Sequence, residues 1–161
     1  MSGRFGSAIK IDGTSAYGNF NIDPPENNCT YEMRYKPTDF NSASWVIMGW
    51  GSYNGGITVS HDSIVIPYYS NSKAFTEANE WYYIALALST TDSLRALYVN
   101  GVKICNLPAA SNTQTWNSLW LGDYRGGGGY HAFNNGTIDE IRISNVARTS
   151  AEISTYWLSN Q

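Results

Sequence analysis

Carboxylates and histidines are the residues of this sequence with the chemistry for acid–base catalysis, and their spacing decides whether they can act together. Glycoside hydrolysis needs two carboxyl groups roughly 5–10 Å apart that face one cleft. Asp139 and Glu140 are adjacent, as are His61 and Asp62, so on a strand each pair points to opposite faces. The sequence also lacks a Gly-x-Ser-x-Gly nucleophile elbow. These spacings predict a protein that is not an enzyme.

The cysteines, Cys29 and Cys105, offer a second kind of chemistry. The sequence has no Cys-x-x-Cys pair and no Cys/His cluster, which argues against a zinc site. If the strands that carry them are neighbours, the two sulfurs form one disulfide; the alternative is two buried thiols. The sequence leaves both alternatives open.

Composition excludes several classes of protein. The 161 residues include 10 Lys and Arg against 13 Asp and Glu, a net charge of −3, and 14% aromatic residues. This length predicts one domain over residues 1–161. The many aromatics exclude a disordered chain, and the mildly acidic balance without a basic run argues against nucleic-acid binding. No apolar run approaches the ~18–20 residues of a membrane span, and no signal peptide is visible.

Short strands separated by turn residues dominate the pattern along the chain. We predict strands over Tyr31–Tyr35, Ser44–Trp50, Ile57–Asp62, Ile64–Tyr69, Trp81–Leu88, Leu94–Val99, Val102–Cys105, Ser118–Leu121 and Thr137–Ile143. Asn100-Gly101 predicts a two-residue hairpin, because both positions tolerate a positive φ. In the strand Trp81–Leu88, the alternate residues from Tyr82 to Leu88 are large and apolar and should face the core. This spacing predicts an all-β sandwich or jelly roll.

One helix is predicted near the C-terminus. Thr149-Ser150-Ala151-Glu152 has the S/T-x-x-E spacing of a capping box. Ile153, Tyr156 and Trp157 follow at i, i+3 and i+4, so we expect a short helix that docks this face on the sandwich.

Five motifs follow one another in an order that resembles a known family. They are the opening Ile11-Asp12-Gly13, the strand Trp81-Tyr82-Tyr83-Ile84-Ala85-Leu86, the hairpin Tyr98-Val99-Asn100-Gly101, the segment Leu119-Trp120-Leu121-Gly122 and the closing Gly136-Thr137-Ile138-Asp139-Glu140. This order resembles the laminin-G-like domains of the concanavalin A-like lectin/glucanase superfamily, with the closest likeness to the bacterial and phage branch. The resemblance implies an all-β, two-sheet antiparallel jelly-roll sandwich with one short C-terminal helix. The Glu-x-Asp-x-x-Glu run of the superfamily's glucanases is absent here.

The resemblance also implies a calcium ion. In related domains calcium often lies where the opening Asp-Gly turn meets the closing Ile-Asp strand, which corresponds to Asp12 and Asp139 here. Carboxylates are suitable ligands for this hard cation. A different interpretation is that Asp12 only shapes a turn with Gly13 and that Asp139 pairs with Arg142 or caps a loop.

Two surfaces are candidates for ligand binding. The outer face of the sheet that contains Trp81–Leu88 would present Arg34, Tyr83 and Tyr98, unless loops or another subunit cover it. The second surface is a loop rim, rich in aromatic residues and glycine, which is typical of adaptable recognition loops. We favour this rim, with ligand-binding residues Trp50, Tyr53, Tyr68, Tyr124, Arg125, Tyr130 and His131.

We therefore expect a non-catalytic recognition module that binds a glycan or a cell-surface polymer. The alternative is a structural or decoration protein of a phage particle, bound to other virion proteins, and the third hypothesis is a glycoside hydrolase. The expected location is extracellular or on a virion surface. A homo-oligomer is possible, whereas nucleic acid and membrane insertion are not expected.

Overall fold

The computed structural model describes residues 2–3, 6–12, 18–22, 25, 28–40, 45–50, 56–66, 70–90, 95–107, 119–122 and 135–161. These residues form fourteen strands and one helix. The strands are β1 (Ser2–Gly3), β2 (Gly6–Ser7), β3 (Ile9–Asp12), β4 (Gly18–Phe20), β5 (Cys29–Pro37), β6 (Trp45–Trp50), β7 (Gly56–Ser60), β8 (Ser63–Ile66), β9 (Ser70–Lys73), β10 (Tyr82–Leu88), β11 (Arg95–Val99), β12 (Val102–Leu107), β13 (Leu119–Leu121) and β14 (Asn135–Ser144). The helix, α1, spans Ser150–Ser159.

The strands form two six-stranded sheets and one separate pair, β1-β2. The first sheet has the order β12-β11-β10-β5-β14-β3, and the second sheet has the order β4-β13-β6-β7-β8-β9. Neighbouring strands are antiparallel throughout. This arrangement confirms the predicted all-β, two-sheet jelly-roll sandwich with one short C-terminal helix.

The hydrophobic core lies between the two sheets, and β10 shows how the sequence builds it. The predicted core residues of β10 are confirmed: Tyr82, Ile84, Leu86 and Leu88. From the second sheet, this core includes Ile47, Met48, Ile57 and Ile64. The alternate residues of β10 belong to another buried cluster on the outer face: Tyr83, Ala85 and Ala87. β10 is therefore buried on both faces, which explains why its sequence is apolar without alternation.

The tight turns follow the residues that tolerate a positive φ. Asn100 and Gly101 have φ of 51° and 74° and connect Val99 to its partner Val102, which confirms the predicted hairpin. Between β7 and β8, Ser60 pairs with Ser63, so His61, with φ of 54°, and Asp62 form the turn. β7 therefore ends at Ser60, two residues before the predicted strand end at Asp62.

The sequence did not predict the β1-β2 pair or the strands β3, β4 and β9. The last three are edge strands of their sheets and pair on one side only. β9 has the sequence Ser-Asn-Ser-Lys, which shows neither apolar alternation nor β-branched residues. Edge strands are commonly polar, since they pack less against neighbours and exposed apolar edges aggregate. β3 and β4 pair with β14 and β13, which lie far along the chain, so their own composition does not reveal the pairing.

The two cysteines are not joined by a disulfide. Cys29 is on β5 and Cys105 is on β12, and two strands, β10 and β11, lie between them. Three steps of the strand spacing separate them by ~14 Å, far beyond the reach of a disulfide. The disulfide alternative is therefore wrong.

The helix begins as the sequence predicts. Thr149 is the N-cap, and its hydroxyl accepts the backbone N–H of Glu152 at 3.3 Å. The Glu152 carboxylate in turn accepts the backbone N–H of Thr149 at 2.7 Å, which completes a capping box. Two of the orphan donors at the start of the helix are thus satisfied by local side chains.

Substitution of the cap should measurably weaken the protein. We expect Thr149→Ala to lower the free energy of unfolding by about 1 kcal/mol, because the N-cap acceptor is lost. Thr149→Ser is the matched control, since it keeps the hydroxyl and should retain most of that stability. Urea unfolding followed by circular dichroism measures both values. Equal losses in the two variants would contradict a capping role.

The same cap makes stability depend on pH at the acidic end. The backbone N–H of Thr149, followed by its hydroxyl, holds the pKa of Glu152 below its ordinary value of 4.5. Because the folded-state pKa is the lower one, this contribution is complete above pH 4.5 and is lost as the pH falls through the folded-state pKa. Urea unfolding at about pH 7 and about pH 3 should therefore show a smaller acid-induced loss in Glu152→Gln than in the original chain.

Candidate functional site: the helix-covered sheet face and its groove

Helix α1 covers the outer face of the first sheet. Its Ile153 is fully buried in a cluster formed by Tyr83, Ala85, Ala87, Ala96 and Tyr98, and Tyr156 and Trp157 pack against the same cluster. The sequence-predicted platform of Arg34, Tyr83 and Tyr98 is thus a buried interface, with exposures of 0%, 2% and 4%. The prediction that these three residues form an open binding surface is wrong, because the helix lies on them.

Helix α1 packs closely on the first sheet, and a glycine in the turn between β11 and β12 makes room for one of its rings. The ring of Trp157 stacks on Tyr83, with ring centroids 6.1 Å apart and planes only 8° from parallel. Gly101 lies beneath the same ring: a Cβ there would be 3.0 Å from Trp157 Cδ1. The hydroxyls of Tyr98 and Ser150 are hydrogen-bonded at 2.8 Å at the other end of the helix. Packing and polar contacts together hold α1 along its whole length.

A buried ion network ties the helix and the segment before it to β5. The carboxylate of Glu32, 1% exposed, accepts two hydrogen bonds from Arg142, at 2.7 Å from Nε and 2.6 Å from Nη2. It also accepts Arg148 Nη1 at 2.7 Å and the hydroxyl of Tyr83. Arg142 and Arg148 both lie over the ring of Tyr156, at 4.1 and 5.4 Å from its centroid. The Glu32 carboxylate thus faces two guanidinium groups, and Arg148 also interacts with the Glu152 carboxylate.

A second buried pair lies nearer the end of the helix. Arg34 Nε donates to Glu140 at 3.0 Å, and its Nη2 donates to the backbone carbonyl of Asn160 at 2.7 Å. The guanidinium also lies over the ring of Trp157, at 4.8 Å from the centroid. Among the described residues, Arg34 Nη1 has no hydrogen-bond partner. Charged hydrogen bonds and cation–π contacts offset much of the cost of burying this charge.

The pKa directions agree with a structural network rather than a catalytic one. Burial, with the hydrogen bond to Glu32, raises the pKa of the Tyr83 phenol far above its usual value. The hydrogen bond to Glu32 likewise raises the pKa of the Arg142 guanidinium. Tyr83 therefore keeps its proton at neutral pH, and the Glu32 carboxylate is shared among three donors. Neither group is arranged to take a proton from a substrate.

Beside the start of the helix, the outer face of the first sheet opens into a groove of about 220 Å³. Its floor is formed by Ala87 and Ala96, which are directly opposite each other on β10 and β11, and by Tyr98. Lys103 and Asn106, on the edge strand β12, form one wall; they pair with Tyr98 and Ala96, so all four share this face. Residues 147–150 form the other wall.

The groove combines polar side chains with a small apolar floor. Lys103 and Asn106 are exposed, whereas the hydroxyls of Thr149 and Ser150 on the helix-side wall already form hydrogen bonds with Glu152 and Tyr98. The volume is below the ~300–1,000 Å³ of drug-sized ligand pockets. It therefore suits one small, hydroxyl-rich unit, such as a single sugar ring, better than a large apolar ligand.

Most of the predicted rim lies outside the described residues: Tyr53, Tyr68, Tyr124, Arg125, Tyr130 and His131. Trp50 is the last residue of β6. It pairs with Leu119 on the neighbouring antiparallel strand β13. Ligand binding by the rim stays a prediction.

The two aspartates predicted to hold calcium do not meet. Asp12 pairs with Asn135 at the start of β14, whereas Asp139 lies four residues further along and pairs with Arg34 on β5. Four residues span ~13 Å of strand, too far for one ion that holds its oxygens at ~2.3–2.6 Å. The Asp139 carboxylate instead accepts the backbone N–H of Glu140 at 2.9 Å, within a bulge where Glu140 has φ of 50°. A calcium ion shared by Asp12 and Asp139 does not fit this structure.

Calcium binding by the chain as a whole stays a prediction with a direct test. Calcium that binds only the native state raises the free energy of unfolding by about 2.7 kcal/mol at a hundredfold excess over its Kd. We expect that Asp12→Asn and Asp139→Asn will not both abolish any calcium-dependent rise in Tm, because their carboxylates are far apart. Melting curves with calcium and with chelator measure this. Loss of the shift in both variants would contradict the register of β3 on β14.

Sequence reasoning missed the Glu32 network and the groove. The available signal was the combination of Glu32 and Arg34 on β5 with an apolar stripe on the predicted helix. Charged residues at alternate strand positions are usually solvent-exposed, so alternation alone assigns them to the surface. That face is buried only because α1 and the segment before it lie on it. Arg148, in this segment, is 116 residues from Glu32 in the sequence.

These features define a concanavalin A-like jelly-roll domain. A laminin G-type family model of the concanavalin A-like lectin/glucanases superfamily matches residues 9–154, and the chain belongs to this family. No curated protein matches the sequence significantly.

Two solved structures illustrate the shared fold. A native heptameric SAP-like pentraxin from Limulus polyphemus is 19% identical, with a TM-score of 0.71 over 93% of this chain and 81% of the pentraxin chain. Trypanosoma rangeli sialidase in complex with sialic acid is 14% identical, with a TM-score of 0.75 over 98% of this chain. The match covers only 28% of the sialidase chain. At these identities the likeness shows the fold alone.

The part of the chain that the structure describes contains no cluster of three or more potential His, Cys, Asp or Glu metal ligands. Within the same residues, α1 is too short and too polar to be a membrane-spanning helix.

Proposed function

We propose that the chain is a non-catalytic recognition module that binds a glycan of a cell surface, as an extracellular or virion-surface component. The observation that carries this proposal is the groove beside α1, which has the size and the hydrogen-bonding groups for one sugar unit. Membership of the concanavalin A-like lectin/glucanases superfamily supports it. The likeness to the bacterial and phage branch is part of this proposal.

The absence of catalysis is proposed from how the carboxylates are used. Glu32 is held by two arginines and a tyrosine, and Glu140 is held by Arg34. Both are thus ion-paired to buried or half-buried guanidinium groups rather than open to a cleft. A glycoside hydrolase needs one carboxyl group that is protonated and one that is free to attack or to activate water.

A glycan array probed with the labelled chain tests this function. We expect binding to a subset of glycans. Asn106→Ala should weaken that binding about fivefold, the equivalent of one lost hydrogen bond. Asn19→Ala is the matched control, because Asn19 is an exposed asparagine on β4 of the other sheet. Circular dichroism checks that each variant is folded.

The array also separates the groove from the rim. Tyr124→Ala and Tyr130→Ala remove two aromatic residues of the predicted rim. If only these variants lose binding, the chain is still a glycan-binding module and the groove is the wrong site. If no glycan binds and the chain is found within virus particles, the recognition function is wrong and the alternative assembly role takes its place.

A further inference from the structure

We propose that the groove selects an acidic saccharide, such as a uronic acid or another carboxylated sugar, through Lys103. This inference rests on the proposed function, since it names the class of glycan for the same groove. It is carried by the exposed Lys103 and the absence of an acidic residue among the described residues that line the groove, in a chain whose overall charge is −3.

The groove is lined by positive and neutral residues only. Of the ten described residues that line it, Lys103 and Arg148 are cationic and none is acidic. Arg148 is fixed in place, because its Nη1 donates to Glu32 and its Nη2 to the carbonyl of Glu152. Glu32 is shared with Arg142, so it does not neutralise both guanidinium groups. The Glu152 carboxylate accepts the Thr149 hydroxyl and interacts with Arg148, so it offsets the remaining positive charge of the helix-side wall.

Lys103 is the group available to a ligand. Its side chain is exposed, and among the described residues it has neither an ion-pair nor a hydrogen-bond partner. On the opposite wall, the start of α1 is already capped by Thr149 and Glu152. The helix N-terminus is therefore not the anion-binding feature, and the Lys103 ammonium is the donor left for a carboxylate.

The neighbours of Lys103 fit the remainder of a sugar. Asn106 lies on the same edge strand and face, where its amide can both donate to and accept from hydroxyl groups. Ala87 and Ala96 leave space above the sheet for an apolar ring face. A carboxylate on Lys103 with ring hydroxyls at Asn106 uses the two exposed polar side chains of the β12 wall.

Titration of the ¹⁵N-labelled chain with D-glucuronate and with D-glucose tests this inference. We expect glucuronate to shift the amide signals of Lys103 and Asn106 and to bind more tightly than glucose. Lys103→Gln should weaken glucuronate binding about three- to tenfold and leave glucose unchanged, as expected for one charged hydrogen bond. Lys10→Gln, an exposed lysine on β3 at the other edge of the same sheet, should change neither. Asn106→Ala should weaken both sugars.

The outcomes distinguish this inference from the function on which it rests. Equal binding of the two sugars in the groove, with no effect of Lys103→Gln, overturns the selection of acid and leaves glycan binding intact. Binding of glucuronate that shifts only signals outside the groove overturns the site. If neither sugar binds and the glycan array is also blank, the proposed function fails and the inference with it.

Discussion

Replacement of Glu32 by Gln is expected to lower the free energy of unfolding by about 3 kcal/mol. Glu32 is 1% exposed, and its carboxylate is the shared partner of Arg142, Arg148 and the Tyr83 hydroxyl. The amide keeps the shape but removes the charge, so two guanidinium groups lose their counter-ion. Its N–H groups would also face other donors. Breaking a buried pair typically costs 3–5 kcal/mol, and we expect the lower end because Arg142 is 40% exposed.

Urea unfolding at neutral pH gives this value directly. Glu80→Gln is the matched control, since Glu80 is exposed and its neutralisation should change stability by less than about 0.5 kcal/mol. If Glu32→Gln loses less than about 1 kcal/mol, water screens the network and the network does not hold the helix on the sheet.

Gly122→Ala should lower the free energy of unfolding by about 2–4 kcal/mol. Gly122 has φ of +72°, in the left-handed region, and a Cβ there would be 2.5 Å from Ile11 Cγ2. Ile11 is fully buried on β3, so it has little room to move. The backbone N–H of Gly122 also donates to the carbonyl of Ile47 at 3.2 Å, which fixes its position. The cost combines backbone strain with overpacking.

Gly6→Ala separates these two causes. Gly6 also has a positive φ, of +123°, but a Cβ there would have no atom within 4 Å. Thermal and urea unfolding of the two variants should show a clearly larger loss for Gly122→Ala. A loss in Gly122→Ala no larger than that in Gly6→Ala would contradict the predicted overpacking against Ile11.

The sandwich itself is largely predictable from the sequence. Turn residues such as Asn100-Gly101 mark the hairpins, and Thr149 with Glu152 marks the helix start; the structure confirms both. The motif order predicts the jelly roll, and Gly122 shows why one motif residue is a glycine. These features depend on local chemistry, which a sequence displays directly.

The candidate site was harder to predict, because it depends on register and coverage. Alternation shows that Arg34 points away from the core, but it does not distinguish solvent from a helix that packs there. The motif order suggests that Asp12 and Asp139 lie close together. The register of β3 on β14, however, separates them by four residues. Likewise, strand order determines at which end of a sheet a connecting segment begins. None of these relations is encoded in the composition of the segment concerned.

The ion network also has a consequence for how the chain folds. Glu32 finds Arg142 and Arg148 only across 110 and 116 residues of sequence. The charged face of β5 is therefore neutralised and covered only after the last part of the described chain has packed on it. Long-range pairing of this kind is typical of slow, millisecond-to-second folding of β-sandwiches. Until then, β5 carries unpaired charges on one face. Such charges disfavour the pairing of β5 with strands of other molecules during synthesis.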